Sequence, residues 1–145
     1  MYNFNFKLQN VLDYKVSQQN KQVSKYNNAK IILDEEEKRL IEYNKLKKRI
    51  KEKKDNLSMA SRVKDLKIYN EYLNQIKDEI RKQKKQVDKA KMEAEVAKEK
   101  LITASKDKKA FEKLKEKDYE KFKDKIKKKE ENQVDEIVTY INSNN

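Results

Sequence analysis

From Leu66 to Phe122 one stripe of residues recurs in strictly alternating steps of three and four. It reads Leu66, Tyr69, Leu73, Ile76, Ile80, Gln83, Val87, Ala90, Ala94, Ala97, Leu101, Ala104, Lys108, Phe111, Lys115, Asp118 and Phe122. A mean spacing of about 3.5 residues keeps a narrow seam on one side of a helix, and such a seam requires a helical partner along its length. Up to Ala104 the only polar station is Gln83. Beyond it, polar and aromatic residues alternate, so the second part of the seam is looser than the first.

Composition narrows the fold further. The 145 residues contain no Gly, Pro, Cys, His or Trp. Average usage would supply roughly ten Gly and seven Pro. Without them the chain lacks the residues that make tight hairpins and left-handed turns, which disfavours sheet. Hydrophobic residues make up 35% and charged residues 44%. That is too little apolar material for a layered core and enough for a coiled-coil seam. Disorder shares this composition, but the heptad order opposes it everywhere except in the last few residues.

In chain order, Phe4, Phe6 and Leu8 alternate, and helical spacing starts at Val11 and Leu12. A first helix from about residue 8 to 55 carries Val16, Val23, Tyr26, Ala29, Leu33, Leu40, Tyr43, Leu46 and Ile50. This stripe requires phase slips near Tyr26 and Tyr43. The run Asp34-Glu35-Glu36-Glu37 before Lys38-Arg39 reads as a solvated face with i, i+4 ion pairs. Asp55, Asn56 and Ser58 compete for backbone hydrogen bonds and mark a turn at about 55–58. Ser58 is the expected N-cap of the second helix, with Ser61 the alternative. Asn56 is the expected left-handed cap of the first. The second helix then runs from about 58 to 141, with a tail at 142–145, in one coiled-coil domain.

The expected fold is therefore all-α, a long antiparallel two-helix hairpin. If facing residue numbers total 113, Ile50 meets Val63, Leu40 meets Leu73, Leu33 meets Ile80 and Tyr26 meets Val87. In the same register Val23 meets Ala90, Val16 meets Ala97 and Leu12 meets Leu101, so each of these pairs is apolar on both sides. The second helix overhangs the first by roughly 50 Å at about 1.5 Å per residue. The overhang is expected to begin near Phe111, where Phe4 and Phe6 close the paired region. It keeps an apolar stripe from Phe111 through Leu114, Phe122 and Ile126 to Ile141.

Function classes narrow as well. There is no His or Cys to act as base, nucleophile or soft metal ligand, and no Gly-rich loop to cradle phosphate. An enzyme, a metal site and a cofactor are not expected. The first residues lack the apolar region of a signal peptide, and no stretch approaches a membrane-spanning helix. The net charge of +12 admits acidic partners. Lys45–Lys54 is net +6, and Lys113–Lys129 is net +5 with Tyr119 and Phe122 interleaved. A basic coiled coil that binds nucleic acid or an anionic membrane is thus an alternative, although acidic residues interrupt every turn and solvated helix faces look the same. Ile68 and Tyr72, with Tyr69 and Ile76 beside them, form an apolar group just past the turn that suits a protein contact. Ile41 and Tyr43 face that region.

The opening Phe4-Asn5-Phe6-Lys7-Leu8-Gln9-Asn10-Val11-Leu12-Asp13-Tyr14 resembles the N-terminal signature of the FliJ family, small components of the bacterial flagellar type III export apparatus. Leu66-Lys67-Ile68-Tyr69-Asn70-Glu71-Tyr72-Leu73 is similar to the start of that family's second helix. Phe111-Glu112-Lys113-Leu114-Lys115-Glu116-Lys117 through Glu131-Asn132-Gln133-Val134-Asp135-Glu136-Ile137 is similar to its C-terminal segment. The resemblance departs at Gln18-Gln19, where family members often carry Glu. It implies a coiled coil like the central stalk of rotary ATPases. The implied partners are the flagellar export ATPase ring, the cytoplasmic domain of the export gate and export chaperones. No nucleic acid is implied, and the implied location is cytoplasmic, peripheral at the inner membrane. Under this resemblance Ile68, Tyr69, Tyr72 and Ile76 would meet the gate. Phe111, Leu114, Phe122 and Ile126 would anchor the ATPase contact, with Lys115, Lys121 and Lys125 steering.

Overall fold

The structure, a computed structural model, describes residues 3–57 and 62–144. The expected caps Ser58 and Ser61 lie outside the described residues. Two helices make up the fold, α1 (Gln9–Asp55) and α2 (Arg62–Ser143), with no strand among the described residues. They form an all-α hairpin. At the start of α1 the Gln9 N–H donates to the Phe6 carbonyl at 3.1 Å and the Leu12 N–H to that of Leu8 at 2.9 Å. At its end the Asn56 N–H donates to Glu52 (3.1 Å) and the Leu57 N–H to Lys54 (3.3 Å). No described residue has positive φ. Asn56 is therefore not the left-handed cap the sequence suggested. The final carbonyls are met by one more helical bond and a tighter one, a common way for a helix to end without Gly.

Contacts group the chain into two compact units. The first consists of residues 22–101. Its core is Ile50, Leu73, Ile76 and Ile80, with Leu40, Tyr43, Leu46 and Tyr69 packed against them. On α2 the buried stations continue through Gln83, Val87, Ala90 and Ala94, following the heptads of the sequence. On α1, with Glu37, Leu46 and Lys54 half-buried beside it, one stripe of half-buried and buried stations runs through Gln22, Tyr26, Ala29, Leu33, Glu36, Leu40, Tyr43, Lys47 and Ile50. These also alternate in threes and fours, so no phase slip occurs at Tyr26 or Tyr43. The apparent slips came from demanding an apolar residue at each step. Val23 lies outside the seam at 36% exposure, and Gln22 takes the inward place.

The register differs from a facing total of 113. Val63 is 87% exposed and has no place opposite Ile50. Gln83, buried in the seam, donates from Nε2 to the Glu36 carbonyl at 2.9 Å and to the Glu36 carboxylate. The residue numbers of that pair total 119. The shift is close to one heptad. A heptad seam looks apolar to its partner after any seven-residue slide, so apolar matching leaves the choice open. Gln83 decides it, because a buried amide without a partner costs about 1–3 kcal/mol. Glu36, read from sequence as part of a solvated face, is the polar group that answers it.

The second unit consists of residues 1–21 and 102–145, and here the seam is mixed. Phe6 and Leu12 are buried. Gln19 Nε2 donates to Ser105 Oγ at 3.2 Å. Lys15 Nζ lies 3.8 Å from Asp107 Oδ2 and 5.8 Å from the Phe111 ring centroid. Helical side chains lean toward their own N-terminus. Long side chains on this part of α1 therefore reach residues further along α2. Val16, expected in the seam, is 37% exposed. Lys15 and Gln19 occupy the inward positions because the facing stretch of α2 presents Ser105, Asp107 and Phe111.

The register is testable with paired cysteines. Glu36→Cys with Gln83→Cys should form a disulfide within one chain on mild oxidation. Lys30→Cys with Gln83→Cys, the pair demanded by a total of 113, should not. Equal yields from the two pairs by non-reducing electrophoresis would contradict the assigned register.

Candidate docking surfaces

Among the described residues no group of His, Cys, Asp or Glu is arranged to hold a metal ion. Exposed apolar and basic residues lie along the faces of both helices.

In the unit of residues 22–101, the four apolar residues singled out past the turn divide in two. Ile76 is buried in the core and Tyr69 packs against it. Both are seam residues, one step of seven apart on the face toward α1. Ile68 (55% exposed) and Tyr72 (45% exposed) sit four residues apart on the outer face of α2. A contact there would be carried by Ile68 and Tyr72, with Tyr69 and Ile76 holding the helix beneath them. On α1, Ile41 is exposed, whereas Tyr43 belongs to the core.

In the unit of residues 1–21 and 102–145, the seven residues proposed on the overhang also fall into two stripes. Phe111, Lys115, Phe122 and Ile126 are half-buried and continue the inward face. Leu114, Lys121 and Lys125 are exposed and lie on another stripe. The overhang does not begin at Phe111. The Phe4 ring meets Tyr119 edge-on at 5.2 Å (62°) and lies tilted against Phe122 at 5.4 Å (48°). Aromatic pairs of this geometry contribute about 0.5–1.5 kcal/mol beyond their burial. Lys123 also lies over the Tyr119 ring at 5.0 Å.

The segment before α1 thus lies along α2 well past Phe111. Asn3, Phe4 and Asn5 line one side of a groove of about 770 Å³, and Lys121, Phe122 and Lys125 line the other. The sequence signal for this contact was the Phe4-Asn5-Phe6 alternation. It showed apolar residues but not the register: Phe4 with Tyr119 and Phe122 follows the same pairing as Lys15 with Phe111 and Gln19 with Ser105, well beyond the facing total of 113. From Lys127 to Asn144 every residue is exposed, so the uncovered stretch begins about there. It carries Val134, Ile137, Val138 and Ile141, each about half exposed.

A family model described as "Flagellar FliJ protein" matches residues 4–145. The chain belongs to the FliJ family. No curated protein and no solved structure matches it. Membership makes it a component associated with flagellar export, and FliJ proteins are structural export components rather than a known enzyme family. No described helix of this FliJ-family chain is long and apolar enough to cross a membrane.

Phe4→Ala should uncover Tyr119 and Phe122 while leaving residues 22–101 untouched. Hydrogen exchange should rise at 115–126 and stay unchanged around Gln83. Loss of about 1 kcal/mol is expected, on the scale of an aromatic pair. Unchanged exchange at 115–126 would contradict the packing described.

Proposed function

We propose that this chain acts as a stalk-like coiled coil linking the flagellar export ATPase ring to the cytoplasmic domain of the export gate. In this reading it works at the cytoplasmic face of the inner membrane and assists delivery by export chaperones. Family membership over residues 4–145 carries the reading. A hairpin that separates two exposed apolar groups by sequence and by compact unit supports it.

The gate contact is assigned to Ile68 and Tyr72. Exposed aromatics are common anchors of protein interfaces, since they bury large area with little rotamer loss. The ATPase contact is assigned to Leu114, Lys121 and Lys125 on the exposed stripe. Phe111, Phe122, Lys115 and Ile126 hold that stripe in place from the inward face. Leu114 would supply apolar burial, and the lysines would steer association with an acidic opening, affecting on-rate more than off-rate.

Two variants separate the contacts. Leu114→Ala with Lys121→Glu and Lys125→Glu should lose capture of the export ATPase by at least about tenfold, or about 1.4 kcal/mol, and keep gate binding. Tyr72→Ala should do the reverse, with stability changed by no more than about 0.5 kcal/mol, as expected at an exposed site. Full ATPase capture by the first variant would sink the assignment to this exposed stripe. A large drop in Tm for Tyr72→Ala would place that ring in the core instead.

A further inference from the structure

A groove on the unit of residues 22–101 and the end of α2 complement each other. The groove encloses about 660 Å³ beside Met92, Val96 and Ala97. Met92 and Val96 are 71% and 50% exposed. The facing seam stations are Ala90, Ala94 and Ala97, whose short side chains leave room beside the helix. Lys25, Lys85, Lys89 and Lys100 line its edges, against Asp88 and Glu93. Gln22 also lines it, and its Oε1 is buried without a hydrogen-bond donor.

The end of α2 has the opposite character. From residue 130 onward it carries Glu130, Glu131, Asp135 and Glu136 and no Lys or Arg, in a chain of net charge +12. Val134, Ile137 and Ile141 follow one another at helical spacing on an exposed stripe. The last turn holds no basic residue. A helix C-terminus carries partial negative charge and is stabilised by cations, so this acidic end gains from a cationic neighbour.

We propose that residues 130–144 of one copy dock into the Met92–Val96 groove of a second copy. The contact is heterologous: tail on one side, groove on the other. Ile137 and Ile141, four residues apart, set a ridge against Met92 and Val96 at the same spacing, as in ridges-into-grooves packing. Glu131 and Glu136, on the two flanks of that ridge, meet the lysines that line the groove. Lys85 to Lys100 and residues 130–144 cover equal lengths of helix, each roughly four turns. An OH or NH group of the incoming helix, such as that of Tyr140 or Thr139, answers the Gln22 oxygen. This association rests on the groove and the tail and not on the export reading, since it uses none of Ile68, Tyr72, Leu114, Lys121 or Lys125.

Sedimentation equilibrium of the full chain tests it. The parent should self-associate at low salt and less so as salt rises, because the rim charges are screened. Met92→Glu with Val96→Glu, and separately Ile137→Glu with Ile141→Glu, should each weaken association by at least about tenfold with helicity unchanged. Mixing the two variants should restore association, since one supplies an intact tail and the other an intact groove. Lys89→Glu with Lys100→Glu should also weaken association, and Glu131→Lys with Glu136→Lys in the mixed partner should recover it. A parent that stays monomeric, a variant that associates like the parent, or a mixture that remains monomeric would each overturn the proposal.

Discussion

The buried amide of Gln83 and its acceptors on Glu36 are the interaction on which the pairing of residues 22–101 depends. All other stations of that seam on α2 are apolar, and an apolar heptad seam tolerates a slide of seven residues at small cost. A buried polar group does not, because after a slide it faces a hydrocarbon and loses its bonds. The hydrogen bond adds little net stability, about 0.5–1.5 kcal/mol. It adds the difference between one register and its neighbours. Arg39 lies 3.6 Å from the Glu36 carboxylate, so the acceptor side keeps a cation beside it at the edge of the seam.

Residues 1–21 and 102–145 are held differently. Apolar burial comes from Phe6 and Leu12, which are buried, and from Phe4, Ala104, Phe111, Phe122 and Ile126, which are half-buried. The rest comes from directional contacts: Gln19 with Ser105, Lys15 with Asp107 and Phe111, and Phe4 with Tyr119 and Phe122. Partly exposed ion pairs and cation–π contacts contribute about 1 kcal/mol or less each. Such a region specifies its partners by geometry more than by area.

The exposed apolar residues gain meaning from this division. Singly exposed hydrophobes are normal on any protein. Ile68 with Tyr72 and Met92 with Val96 are instead pairs four residues apart on the outside of a helix whose inside is already occupied, and Ile137 with Ile141 is such a pair on a stretch exposed all round. The FliJ family supplies an export setting for such contacts.

By itself the sequence determined the helical class, because a chain without Gly or Pro and with a 3.5-residue seam has few other ways to bury apolar surface. It also marked the α2 stations from Leu66 to Lys115, since apolar residues repeat there with little interruption. Only the tertiary structure decided the α1 phase, the register and the reach of the N-terminal segment. Lys15, Gln19, Gln22 and Glu36 face inward against their polarity because the facing helix offers them a donor, acceptors, a ring or space. That information lies on the other helix, and no periodicity within α1 contains it. The same holds for Phe111 and Phe122. Their helical stripe was legible, but whether Lys15 and Phe4 or a partner would cover them depended on the register between the two helices.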